Sequence, residues 1–96
     1  SHEFLLTFNN RNRLTGGLYW KRLDSNRVHL EWVVIKKKYQ KIELSKRLMS
    51  DFFDRMNHDG IGIITVGFYA QKFFAKHGFK IEKQHGGMVK RLQTMG

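Results

Sequence analysis

The sequence contains no cysteine and no proline. Without cysteine it can form no disulfide, thiolate metal site or cysteine nucleophile. It has no internal repeat, no low-complexity tract and no segment that reads as a linker, so one domain is expected. Acidic residues are scarce: 8 Asp and Glu stand against 18 Lys and Arg. No apolar run is long enough to cross a bilayer. The start lacks the charged, apolar and small-residue pattern of a secretory leader. These absences predict a soluble, intracellular chain without membrane contact. Ser1-His2-Glu3-Phe4 reads as a cloning scar, which leaves residues 5–96 as the expected domain.

The hydrophobic share is 41% of 96 residues, enough for one small packed core. The formal net charge is +10. Such an excess attracts polyanions: nucleic acid, chromatin, an acidic peptide or a phosphorylated cofactor. A solvated basic surface with no dedicated partner accounts for it equally well. The charge is focused where Lys36-Lys37-Lys38 neighbours Lys41, Lys46 and Arg47.

Patterning predicts strand, strand, strand, helix, strand, helix, strand, strand, an α/β order with helices laid on a mixed sheet. Phe4 to Phe8 and Leu18 to Leu23 read as the first two strands. Asp24-Ser25-Asn26 has turn chemistry. Between Arg27 and Ile35 the residues alternate. Val28, Leu30, Trp32 and Val34 form one apolar face, expected to pack on a core. Arg27, His29, Glu31, Val33 and Ile35 form the other, polar at its start and apolar at its end, as when half a face lines a site. Leu44, Leu48, Met49, Phe52, Phe53 and Met56 recur at helical spacing, and Asn57-His58-Asp59-Gly60 supplies a stop. A short apolar strand ends at Val66. A second helix carries Tyr69, Ala70, Phe73 and Phe74 and closes at Gly78. Two final strands flank His85-Gly86-Gly87.

From Val33 to Ser45 a strand ends, a basic turn follows and a helix begins. Free N–H groups at a helix start attract phosphate, and lysines strengthen the field. An ordinary strand-to-helix connection would look the same. The five histidines show no metal-ligand spacing, so no metal is assigned. Tyr19 and Trp20 beside Lys21 and Arg22 read as core aromatics or, with less support, as a base-stacking pair.

The turn resembles that of the GNAT superfamily of N-acetyltransferases, which carries Gln/Arg-x-x-Gly-x-Gly/Ala around the pyrophosphate of coenzyme A. Gln40 matches its first position, while Glu43 and Ser45 stand where the first glycine and the Gly/Ala belong. Ala70-Gln71-Lys72-Phe73-Phe74-Ala75-Lys76-His77-Gly78-Phe79 is similar to the family pattern on the next helix, and Gly87 to Leu92 to its last strand. The resemblance implies a GNAT-like, mostly antiparallel mixed sheet with two main helices. It lacks the usual N-terminal strand and two helices, so a second chain or segment would complete the acceptor groove.

It further implies acetyl-CoA as cofactor and a protein or peptide amine as acceptor, with a histone lysine and a nuclear setting as one version. Val33, Val34 and Ile35 would hold the pantetheine through their backbone. Gln40, Lys41, Ile42, Glu43, Leu44, Ser45 and Lys46 would hold the pyrophosphate. Phe73 is counted with them, although it reads most simply as core. Glu31 or His29 would be the base. Family members often use a tyrosine as acid where this chain has Phe74, and Tyr69 is the nearest substitute. Glu43 puts a negative side chain where phosphate would sit, predicting weak coenzyme binding. The alternative is an inactive GNAT-like module that binds chromatin, nucleic acid or a protein through its basic surface.

Overall fold

The computed structural model describes residues 2–39 and 42–92. The strands are β1 (His2–Phe8), β2 (Leu14–Arg22), β3 (Arg27–Ile35), β4 (Ile63–Val66), β5 (Lys80–Glu82) and β6 (Gly87–Arg91). The helices are α1 (Ile42–His58), between β3 and β4, and α2 (Gln71–Lys76), between β4 and β5. Single 3-10 turns cover Lys37–Tyr39 and Lys83–His85. The strands form one sheet in the order β1-β2-β3-β4-β6-β5. Only β3 and β4 are parallel; the other neighbours are antiparallel. This is the expected order of elements. Gly16 and Gly17, read as a lead-in, lie inside β2, and residues 2–4 pair within β1.

The β2–β3 hairpin closes because Asp24 accepts the Asn26 N–H at 2.8 Å, the short-range bonding that makes Asp and Asn turn formers. The Asn26 side chain then accepts the Gly62 N–H at 2.9 Å and ties this turn to the entry of β4. Helix α1 presents Leu48, Met49, Phe52 and Met56 to the sheet, all buried, as their spacing requires. It stops where Gly60 turns left-handed at φ 76° and the Ile61 N–H reaches back to the Met56 carbonyl. The core under α1 gathers Leu18, Trp20, Val28, Leu30, Ile64, Val66, Phe74, Phe79 and Met88. Trp20 is fully buried against Phe52, which removes it as a base-stacking residue.

Strand β3 departs from its sequence reading. Tyr19 stands opposite Trp32 and Trp20 opposite Leu30, so Glu31 is an extra residue in a β-bulge. The bulge shifts the phase of the alternation. Val28 and Leu30 are buried as expected, but Trp32 and Val34 are 40% and 50% exposed on the face away from α1. Val33 and Ile35 pack against the core instead. The expected apolar face of Val28, Leu30, Trp32 and Val34 is therefore split between both sides of the sheet. Neither residue type nor spacing marks the bulge, because Trp32, Val33, Val34 and Ile35 are all apolar.

Candidate functional site

The sheet opens at its parallel seam. β3 and β4 pair from Arg27–Ile63 to Leu30–Val66, and β3 then continues to Ile35 without β4 beside it. A cleft of about 550 Å³ fills the opening on the α1 side. Its walls are Val33 and Ile35 of β3, Ser45 and Lys46 of α1, Tyr69 and Ala70 ahead of α2, and Phe73, Phe74, Lys76 and His77 on and just after it. Lys36 donates its N–H to the Thr15 carbonyl, which fixes the phase of the antiparallel ladder. The backbone polar groups of Val34 face β2 by that alternation, and those of Val33 turn toward the cleft. Of the three residues expected at the pantetheine, Val33 and Ile35 line this wall and Val34 does not.

Ser45 and Lys46 of the expected phosphate turn face the cleft, whereas Glu43 is exposed and stands outside its walls. Leu44 is half-buried and also off the walls. The Ile42 backbone opens α1, and Gln40 and Lys41 lie outside the described residues. Phe73 lines the cleft and meets Phe74 edge-on at 5.2 Å. Phe74 is buried at 1% exposure, a core position. Tyr69 donates its hydroxyl to the Glu31 carbonyl at 3.2 Å, bridging the gap between the separating strands. Burial, then the Glu31 charge, holds its phenol above the ordinary 10.0.

A second cleft of about 440 Å³ lies on the opposite face, lined by Lys21, Leu23, Arg27, His29, Glu31, Thr65, Gln84 and His85. His29 and Thr65 are direct neighbours across the seam, with Nδ1 and Oγ1 2.8 Å apart. The Thr65 hydroxyl also reaches the Val28 carbonyl, at 3.4 Å. With its hydrogen on that carbonyl, the neutral His29 ring donates from Nδ1 and carries its lone pair on Nε2; with its hydrogen on Nδ1, the two ring nitrogens exchange roles. Glu31 also lines this cleft, its carboxylate 4.0 Å from His2. The bulge thus sends His29 and Glu31 to one face and Val33 and Ile35 to the other. Thr65, Gln84 and His85 were missed in the sequence because a buried threonine and a turn between two strands carry no motif. Lys76 and His77 entered the sequence reading only as members of the Ala70–Phe79 pattern on the second helix.

A cleft on each face of the sheet, with Tyr69 of one hydrogen-bonded to Glu31 of the other just beyond the last parallel pair, makes a domain that can hold one ligand on either side of the gap in its sheet. The chain belongs to the GNAT acetyltransferase family: the family model described as Acetyltransferase (GNAT) domain matches residues 1–87. No curated protein sequence matches it. Among solved structures it is similar to Tetrahymena Gcn5, with a TM-score of 0.83 and 19% identity over 96% of this chain and 69% of that one. It is also similar to a GNAT-family acetyltransferase of Staphylococcus aureus Mu50, with a TM-score of 0.80 and 22% identity over 96% of this chain and 68% of that one. A third is the PaiA N-acetyltransferase of Thermoplasma acidophilum, solved with coenzyme A, with a TM-score of 0.80 and 24% identity over 95% of this chain and 61% of that one. At these identities the likenesses speak for the fold.

Proposed function

We propose that this chain is an acetyl-coenzyme-A-dependent N-acetyltransferase that binds the coenzyme in the α1-side cleft and an amine in the opposite one. The observation that carries this reading is a cleft on each face of the sheet, linked just beyond the last parallel pair where Tyr69 of the α1-side cleft donates to the carbonyl of Glu31, which lines the opposite one. The α1-side cleft fits the coenzyme. Val33, Ile35, Phe73 and Phe74 form an apolar slot for a pantetheine chain, and Lys46, Lys76 and His77 supply basic groups for phosphates. Bound there, the coenzyme supplies the acetyl group as a thioester. His29 Nε2 takes a proton from the acceptor ammonium so that the amine can attack. Glu31 attracts that ammonium and positions it. Tyr69, kept protonated by its raised pKa, holds the proton a departing thiolate requires.

The acceptor is a primary amine, and a protein lysine of the histone kind is one version of it. The test is calorimetric titration with acetyl-CoA, followed by thiol release with a panel of amines and lysine peptides. Binding together with amine-dependent thiol release is expected; no binding at millimolar acetyl-CoA rejects the reading. A second reading draws on the +10 charge: an inactive module that meets chromatin or nucleic acid in the nucleus. Tight DNA binding without thiol release would favour it.

A further inference from the structure

The acceptor cleft holds an amine of its own. On the sheet face away from α1, His2, Lys21, His29 and Thr65 stand in one row across four strands, each opposite the next in register. Lys21, His29 and Thr65 all line the cleft on that face. Lys21 is exposed, and among the described residues it is the one lysine on those walls. Directly opposed residues on antiparallel strands hold their Cβ atoms about 5 Å apart. The flexible lysine stem can therefore carry its ammonium past the His29 ring toward Glu31, just beyond the last parallel pair. Lys46 and Lys76, the lysines that line the other cleft, stand across the sheet from this row.

We infer that Lys21 is a substrate of its own chain: the acetyl group passes from acetyl-CoA to Lys21 Nζ within one molecule. The inference rests on the transferase reading above and adds a modification site to it. The Lys21 ammonium gives one proton to His29. Its nitrogen forms a C–N bond to the thioester carbonyl carbon as the C–S bond breaks. The second proton that nitrogen loses goes to the departing thiolate by way of Tyr69, and the products are N-acetyl-lysine and free coenzyme A. The modification changes the cleft. A neutral amide replaces a cation where an ammonium must enter, so like-charge repulsion falls and the modified chain holds its acceptor more tightly.

The test incubates the whole chain with acetyl-CoA and no added amine, then maps acetylated lysines by mass spectrometry over time. Lys21 should be labelled first, at a rate per molecule independent of protein concentration. His29→Gln should slow that site about 100-fold, the lower range for general base catalysis. The other lysines should keep their own rates, which also reports that the variant is folded. Limiting acetic anhydride gives a readout without the coenzyme: Lys21 should outreact the other exposed lysines in wild type and lose that advantage in His29→Gln. Lys21→Gln, which copies the neutral amide, should lower the KM for a cationic amine. Turnover of added amines without labelling of Lys21, or labelling whose rate rises with protein concentration, would overturn the inference and leave the transferase standing. Equal labelling of Lys21 in wild type and His29→Gln would mark background chemistry and overturn it as well. Neither labelling nor turnover of any added amine would remove the transferase reading with it.

Discussion

The His29–Thr65 pair separates positioning from chemistry at the residue scale. The 2.8 Å bond holds the ring at the last stretch of paired β3 and β4. His29→Gln removes the base and should lower kcat by about 100-fold, the lower range for general base catalysis, with little change in KM for acetyl-CoA. Thr65→Val keeps the base but frees its tautomer, so kcat should fall by a smaller factor. Steady-state kinetics on both variants check the order, and an equal loss would contradict the assignment. Tyr69 gives a prediction in pH. Its folded pKa is raised, so the phenol keeps its proton until the pH climbs past its ordinary 10.0. The alkaline limb of kcat should therefore lie above that value and disappear in Tyr69→Phe. Restoring the family tyrosine at Phe74 should not help. Phe74 is buried among Tyr69, Phe73 and Phe79, and a hydroxyl there without a partner costs about 1–3 kcal/mol. Thermal melts of Phe74→Tyr should show a lowered Tm and assays no gain in rate.

One extra residue organises the site at the element scale. The Glu31 bulge lets a single strand offer polar side chains to one cleft and an apolar wall to the other. The rest of the sheet depends on close strand approach around that point. A Cβ on Gly87 would stand 2.1 Å from the Val66 carbonyl oxygen, at the register that joins β4 to β6. Gly87→Ala must therefore push β6 away. It should destabilise the fold by about 3 kcal/mol, the upper range of overpacking, as read from urea unfolding. Helix α1, the hairpin turn at Asp24 and the order of strands were legible in the sequence because periodicity and turn chemistry set them locally. The split of β3 was not legible. It depends on the partner strand, and an apolar stretch such as Trp32 to Ile35 satisfies either phase. The candidate site was legible only on β3, α1 and the Tyr69–Phe73 segment. His85 and Lys76 arrive through tertiary packing.

The charge and the uncovered sheet act together on the whole molecule. On the face away from α1, Phe4, Leu6 and Phe8 of β1 lie beside Tyr19, Trp32 and Val34, and all but Tyr19 are at least 40% exposed. His2, Tyr19 and Trp32 stack across three strands, with centroids 5.1 and 5.5 Å apart. A net charge of +10 on a chain of 96 residues keeps such apolar faces of separate copies apart by mutual repulsion, and the same repulsion strains the folded chain. Salt reverses both effects. At 1 M the screening length falls to about 3 Å, from about 10 Å at 0.1 M, so like charges across the surface cease to interact. Added salt should therefore raise Tm while promoting self-association. The arginine ion pairs oppose the first trend, since salt weakens them as well. With 18 basic against 8 acidic residues, repulsion outweighs these pairs, and the net shift in Tm is upward. Differential scanning calorimetry together with light scattering, from low to high sodium chloride, reads both quantities. A fall in Tm would mean that the cations are already matched to the carboxylates.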